Sequence, residues 1–564
     1  MICHSVALLG GKIYTIDPEN TIAEAIVIKN GKIAFVGTSD QAKELIEGED
    51  IEIIDLKGNV VFPGFVDTHV HVPGNAYNVM FNINLFDAKS VEETMDTIAD
   101  FIKAHPERDI YYGRGYTSSL FPGLESGIGP RKERLDAICP DKPVIITDFG
   151  AHAFWLNSEA IRRFGITSDA KVEGGVVEVD PETGEVWGTL KDEAKCLFPD
   201  PEYTLDEKVM ALDWLQKYLN AYGYTGVFAL RPSGEDDPRP ILAAMDVLEQ
   251  DDKLTLRMVC SREIKVMEDE FSQIDETAEL AKKYADGMVK VKTAKFFIDG
   301  TVEGTTGLLL EPYEAAAGKG ENYFGTKIWE EDRLIGAFKY ALSKGLNLHL
   351  HAIGDGAVRE AVEAIEAAQK EYPGDHRNTI THLQLVSEQD KVKMHELGIV
   401  ACCNVHWHFK DPSIYFNAEV PFLGKERAEK EYPLKSLLDH GIVITCAGDI
   451  PITAYPNPFF AIQFGVTRNL VNASFYKVDP ITDMDDPKWL LNKDERVSVM
   501  DMVKAYTINA AFANHIEDET GSLEVGKYGD LIVIDRDILN IDPMEIEKTK
   551  LLCTIVGGAI VYKA

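Results

Sequence analysis

Two histidines one residue apart, His69 and His71, close an apolar, β-branched run: Asn59-Val60-Val61-Phe62-Pro63-Gly64-Phe65-Val66-Asp67-Thr68-His69-Val70-His71. Side chains alternate faces along a strand, so the two imidazoles point the same way and can share one metal ion. No helix or loop is needed to bring them together. A His-x-His pair alone also describes two histidines satisfied in a polar pocket, because short motifs match by chance. The rest of the chain adds weight. Lys295, His351, His382 and Asp449 each stand in or at the end of another apolar, strand-like run. Imidazole and carboxylate suit Zn2+ best among common metals, and Fe, Mn, Co or Ni can use the same set.

The runs that carry these residues are the elements that must position them. Residues 226–230, 254–259, 288–298, 346–351, 378–382, 398–404 and 441–449 read as strands, with helical stretches such as 357–371 between them. Together with the His69 run they predict a (β/α)8 barrel, whose catalytic groups sit at the C-terminal strand ends. The first two strands are roughly 150 residues apart, far more than one crossover needs. That interval carries its own strands at 144–147 and 175–179 and is read as an inserted α/β subdomain at about 77–203. Residues 300–326, rich in Gly, Thr and Glu, suit a loop or lid. Short strands also fill residues 6–61, with a hairpin signal at Asn30-Gly31, and recur at 529–535 and 553–562. Neither terminal set can hold a core alone. The expectation is therefore one composite β-sandwich from residues 1–62 and 515–564, beside a distorted barrel spanning 63–514.

Composition sets bounds on function. The chain of 564 residues has a formal net charge of -36, which argues against a nucleic-acid partner. No apolar run is long enough to span a bilayer, and the N-terminus lacks the pattern of a signal peptide. The eight cysteines include no Cys-x-x-Cys, as expected of a cytoplasmic protein with free thiols. A small-molecule substrate is expected, and homo-oligomer formation is left open.

The motifs resemble those of the amidohydrolase superfamily, in its YtcJ-like branch, which includes N-substituted formamide deformylases. The matching stretches are the Pro63 to His71 run, Lys295-Phe296-Phe297-Ile298-Asp299-Gly300, His351-Ala352-Ile353-Gly354-Asp355, Thr381-His382-Leu383-Gln384, Gly448-Asp449-Ile450-Pro451 and Tyr506-Thr507-Ile508-Asn509-Ala510-Ala511. Gly521-Ser522-Leu523-Glu524-Val525-Gly526-Lys527-Tyr528-Gly529-Asp530-Leu531 also matches, as does His152-Ala153-Phe154-Trp155-Leu156-Asn157-Ser158 in the insertion. The resemblance implies a metal-dependent hydrolase of a C–N, amide-like bond, with one or two divalent ions. His69, His71 and Asp449 would hold one ion, and His351 and His382 a second. Lys295 would bridge them as a carbamate, since an ammonium has no lone pair to offer. Asp449 would also shuttle the proton. His152, Asp299 and His406 are the candidates for substrate contact, His152 at the carbonyl. The chain departs from the branch at Thr301-Val302-Glu303-Gly304-Thr305-Thr306, where an Arg-containing run is usual, and at Cys402-Cys403-Asn404-Val405-His406-Trp407-His408. A deaminase or cyclic-amide hydrolase on the same scaffold is the alternative. A non-catalytic binding or regulatory protein ranks lower, because that class usually loses ligands that this chain keeps.

Overall fold

Eight parallel strands take up the runs read from the sequence: β1 (Phe65–His71), β2 (Tyr224–Leu230), β3 (Arg257–Glu263), β4 (Val289–Phe297), β5 (Asn347–Ala352), β6 (Thr379–His382), β7 (Val400–Cys403) and β8 (Ile444–Cys446). In the computed structural model they pair side by side in chain order. The structure describes residues 4–149, 152–172, 175–230 and 239–564. Helices alternate with the strands. In Asp355–Glu371, Ala357, Val358, Ala361, Val362, Ala364, Ile365 and Ala368 are buried, the helical spacing that turns one stripe to a core.

The barrel is distorted at one seam. β1 and β8 share no ladder, only an isolated parallel bridge between Val70 and Ile450. Side chains complete the closure. Thr68 Oγ1 donates to Cys446 O at 2.9 Å. The buried Asp67 carboxylate accepts from His69 N and from Gly448 N, each at 2.9 Å.

The two ends of the chain form one eight-stranded sheet. The N-terminal strands are Val6–Tyr14, Ile22–Lys29, Lys32–Gly37, Glu52–Asp55 and Val60–Pro63; the C-terminal ones are Leu531–Ile534, Leu551–Val556 and Ala559–Lys563. They join where Val60–Pro63 pairs antiparallel with Leu531–Ile534. One apolar cluster draws on both ends, with Leu8, Ile26 and Val61 packed with Leu531 and Ile555. A second cluster joins Ala7, Leu9, Ala25 and Val27 to Ala42 and Ile46, in and just after the helix Ser39–Leu45. Asn30 and Gly31 turn with φ of 51° and 79°, the left-handed pair that a tight hairpin requires.

Residues Asn75–Ala211 form a second compact unit. Its six strands run in the order Gly175–Val179, Val186–Asp192, Ala153–Leu156, Val144–Asp148, Tyr111–Tyr116, Ile83–Asn84. Separate apolar clusters, around Trp155 and around Phe154 and Leu190, pack within it. Among the described residues no helix is long and apolar enough to cross a membrane.

Candidate metal centre

Strand ends bring the ligand-type residues together. His69 and His71 leave β1 on one face, and β8 runs through Ala447 and Gly448 to Asp449. Asp449 Oδ1 lies 3.5 Å from His69 Nε2 and 3.4 Å from His71 Nε2. These gaps are long for a hydrogen bond. They match the roughly 3.4 Å between two atoms each about 2.1 Å from one tetrahedral ion. His382, at the end of β6, joins His69 and Asp449 in a group whose ligand atoms all lie within 4.8 Å of one another. The ring of His351 sits 4.5 Å from that of His382. His71 is the most open of the set, its side chain 24 % exposed. His382 and Asp449 hold positive φ, 76° and 52°, backbone conformations that cost energy in non-glycine residues and cluster at functional sites.

Each buried imidazole is held through its other nitrogen. His382 Nδ1 faces Asn404 Oδ1 at 2.8 Å, His351 Nδ1 faces Asp299 Oδ1 at 3.2 Å, and His69 Nδ1 faces His349 Nε2 at 2.9 Å. For His351 and His382 the partner is an oxygen, which accepts from Nδ1 and so leaves Nε2 with its lone pair for a cation; between His69 and His349 either ring can donate. Burial pulls His351 and His382 down to about 3, and burial with the charge of Lys295 takes His69 well below its ordinary value. Neutral imidazoles result, the form a metal needs. Burial would push Asp449 up, but contact with His71 outweighs it and holds the carboxyl below its ordinary value.

Lys295, on β4, is buried, and its Nζ has no hydrogen-bond partner. Burial pulls its amine down to about 7 against the opposing charge of Asp449. An orphaned amine and an orphaned Asp449 Oδ1 beside neutral imidazoles fit a bound divalent ion.

An amidohydrolase family model matches residues 52–562. The chain belongs to the amidohydrolase family. It is 27% identical over 560 residues to YtcJ of Bacillus subtilis (strain 168), named as an amidohydrolase, with 98% of each chain covered. It is 23% identical over 573 residues to the N-substituted formamide deformylase of Arthrobacter pascens, covering 99% of this chain and 98% of that one. Among solved structures, an uncharacterized metal-dependent hydrolase from Pyrococcus furiosus superposes with a TM-score of 0.73 at 25% identity, over 95% of this chain and 100% of that one.

The other expected site residues of this amidohydrolase fall in different surroundings. Both oxygens of Asp299 are engaged. They accept from Leu308 N and Gly354 N at 2.9 Å and from Ile353 N at 3.0 Å, besides facing His351. Asp299 thus ties the start of the 300–326 stretch to β5 and steadies a histidine. His406 is buried in a short turn after β7 and donates from Nε2 to Asn457 O at 3.2 Å. Its neighbour Trp407 stacks on the His382 ring, 5.6 Å away and 6° from parallel. His152 belongs to the second unit, where its side chain is 81% exposed and pairs with Asp192 at 3.1 Å. The sequence reading passed over His349, Asn404 and Asp67. For His349 the signal was present: it lies two residues before His351, so strand alternation puts both on one face.

A second histidine-rich group, His69, His349 and Cys402, lies beside the first. The 2.9 Å between its two imidazoles is a hydrogen-bond length, shorter than the separation of two ligands on one tetrahedral ion.

Proposed function

We propose that this amidohydrolase hydrolyses a C–N, amide-like bond in a small molecule, with one or two divalent ions, Zn2+ first among them, held by His69, His71, His351, His382, Asp449 and a carbamylated Lys295. The observation that carries the reading is the convergence of His69 and His71 on Asp449 Oδ1 at 3.5 and 3.4 Å in buried surroundings. The deformylase relative from Arthrobacter pascens and the metal-dependent hydrolase from Pyrococcus furiosus support it. When bound, a divalent ion supplies Lewis acidity and lowers the pKa of water toward neutrality.

The remaining work belongs to the chain. Asp449, held ionised, takes the proton of the attacking water and passes it to the leaving nitrogen. Asn404 and Asp299 keep the rings of His382 and His351 in place. Lys295 with an amine near 7 is in part unprotonated at neutral pH, the form that reacts with CO2. The carbamate so formed replaces a buried cation with an anion among metal ligands.

The test is metal analysis of the purified protein, followed by a screen of N-formyl and N-acyl amines and of amino-heterocycles. Carboxylate release with activity lost to a chelator and regained with Zn2+ is expected. Ammonia release from an amino-heterocycle would shift the assignment to a deaminase, and absence of stoichiometric metal after loading would overturn it.

A further inference from the structure

We propose that His349 is a positioning residue for metal binding, acting through His69: it accepts the Nδ1 proton of His69 and so commits His69 Nε2 to the ion. The inference rests on the metal reading above and extends it to a residue with no ligand role of its own.

The two rings meet at 2.9 Å between His69 Nδ1 and His349 Nε2, with both residues buried. A neutral imidazole has one donor and one acceptor nitrogen. A contact of this length between two ring nitrogens therefore needs one proton, on one side or the other. Two arrangements are possible. If His349 donates, His69 has its lone pair at Nδ1 and a proton at Nε2, which then points at Asp449 and repels a cation. If His69 donates, Nε2 carries the lone pair. Asp449 Oδ1 at 3.5 Å and His382 close by make the second arrangement the productive one once a cation is present.

His349 is built to hold this place. It lies on β5 in register with Lys295 on β4 and Thr379 on β6, and so is fixed from both sides by the sheet. Its ring stacks on Phe228 of β2, with centroids 4.4 Å apart and planes 16° from parallel. A cavity of about 10 Å3 borders the residue, lined by Thr68, Thr293, Asn347, Arg377 and Thr379 among others. The three buried histidines then follow one rule with three different acceptors: a carboxylate for His351, an amide oxygen for His382 and a second imidazole for His69.

The test compares His349→Gln with His349→Leu in the full-length apo-protein. Gln can present an oxygen near the position of Nε2, and Leu cannot. Zn2+ affinity is read by competition with a chromophoric chelator, and the thermal midpoint of the apo-protein is read alongside. His349→Leu should weaken Zn2+ binding about 10- to 100-fold, the usual effect of losing an outer partner. His349→Gln should recover most of that loss even where both variants shift the apo midpoint equally. His349→Met serves in place of the leucine variant if that one does not fold. Wild-type affinity in the leucine or methionine variant, or equal weakening in the glutamine variant, would overturn the role of His349 while leaving the metal site standing. Wild-type protein that takes up no Zn2+ would overturn both.

Discussion

At the scale of single residues, two side chains carry the proposed chemistry and can be separated by experiment. Asp449→Asn keeps the size and much of the ligating ability of the side chain but removes the base. The expected result is a kcat lower by about 10²- to 10⁴-fold, the range of general acid–base catalysis, with the thermal midpoint close to wild type. Metal content measured on the same sample distinguishes loss of the base from loss of the ion. A kcat near wild type would remove Asp449 from proton transfer. Lys295→Ala tests the bridge. The buried amine has no hydrogen-bond partner and lies over the Phe297 ring at 4.9 Å, so its removal breaks no hydrogen bond. Metal occupancy and activity should fall together, and a short carboxylic acid such as propionate should restore part of both by filling the vacated space. Full occupancy and full activity in the variant would leave a mononuclear site that needs no lysine.

At the scale of elements, the positions of these residues depend on how strand ends meet loops. Gly354 lies two residues past the end of β5. A Cβ there would lie 2.0 Å from Leu308 O, a backbone atom that also accepts from Gly356 N and Ala357 N. Gly354→Ala must therefore push the 308 segment away and pull Leu308 N from Asp299. Overpacking of this kind costs about 1–3 kcal/mol. The expected outcome is a lower thermal midpoint together with weaker Zn2+ binding, since Asp299 also steadies His351; calorimetry and metal titration read the two effects. An unchanged midpoint would show that the 308 segment gives way freely. The eight strands were legible in the sequence because each contains a short, buried and largely apolar run, and ligand-type residues at several of their ends marked the site. The extent of the last run was less so. Residues 441–449 read as one strand, but β8 is only Ile444–Cys446, and the chain then turns so that Asp449 takes positive φ. The seam was not legible at all, because it closes through Asp67, Thr68 and one bridge rather than a ladder that alternation would reveal. The pairing of Asn404 with His382, and of Asp299 with His351, was hidden for the same reason. The partners lie 22 and 52 positions apart, and only the folded barrel brings them together.

At the scale of the molecule, the barrel and the terminal sheet are joined by a buried ion pair. Arg257 opens β3, at the end of the barrel opposite the ligands, and Asp530 immediately precedes the terminal strand Leu531–Ile534. Arg257 Nε meets Asp530 Oδ2 at 2.5 Å, with side chains 5% and 0% exposed. Asp530 also accepts from Gly557 N at 2.8 Å and from Thr520 Oγ1 at 3.2 Å, and the guanidinium lies over Tyr528 at 3.7 Å. Asp530→Ala would leave a buried guanidinium without its counter-charge and an amide without its acceptor. Breaking one side of a buried pair costs about 3–5 kcal/mol. Urea unfolding should show a loss of that size, while kcat/KM per folded molecule stays near wild type because no ligand is touched. Replacing both partners with leucine removes the two desolvation penalties at once, so the double variant should be more stable than Asp530→Ala alone. A loss in Asp530→Ala no greater than that of an exposed pair, about 1 kcal/mol or less, would mean that apolar packing holds the terminal sheet to the barrel and that the buried charges add little.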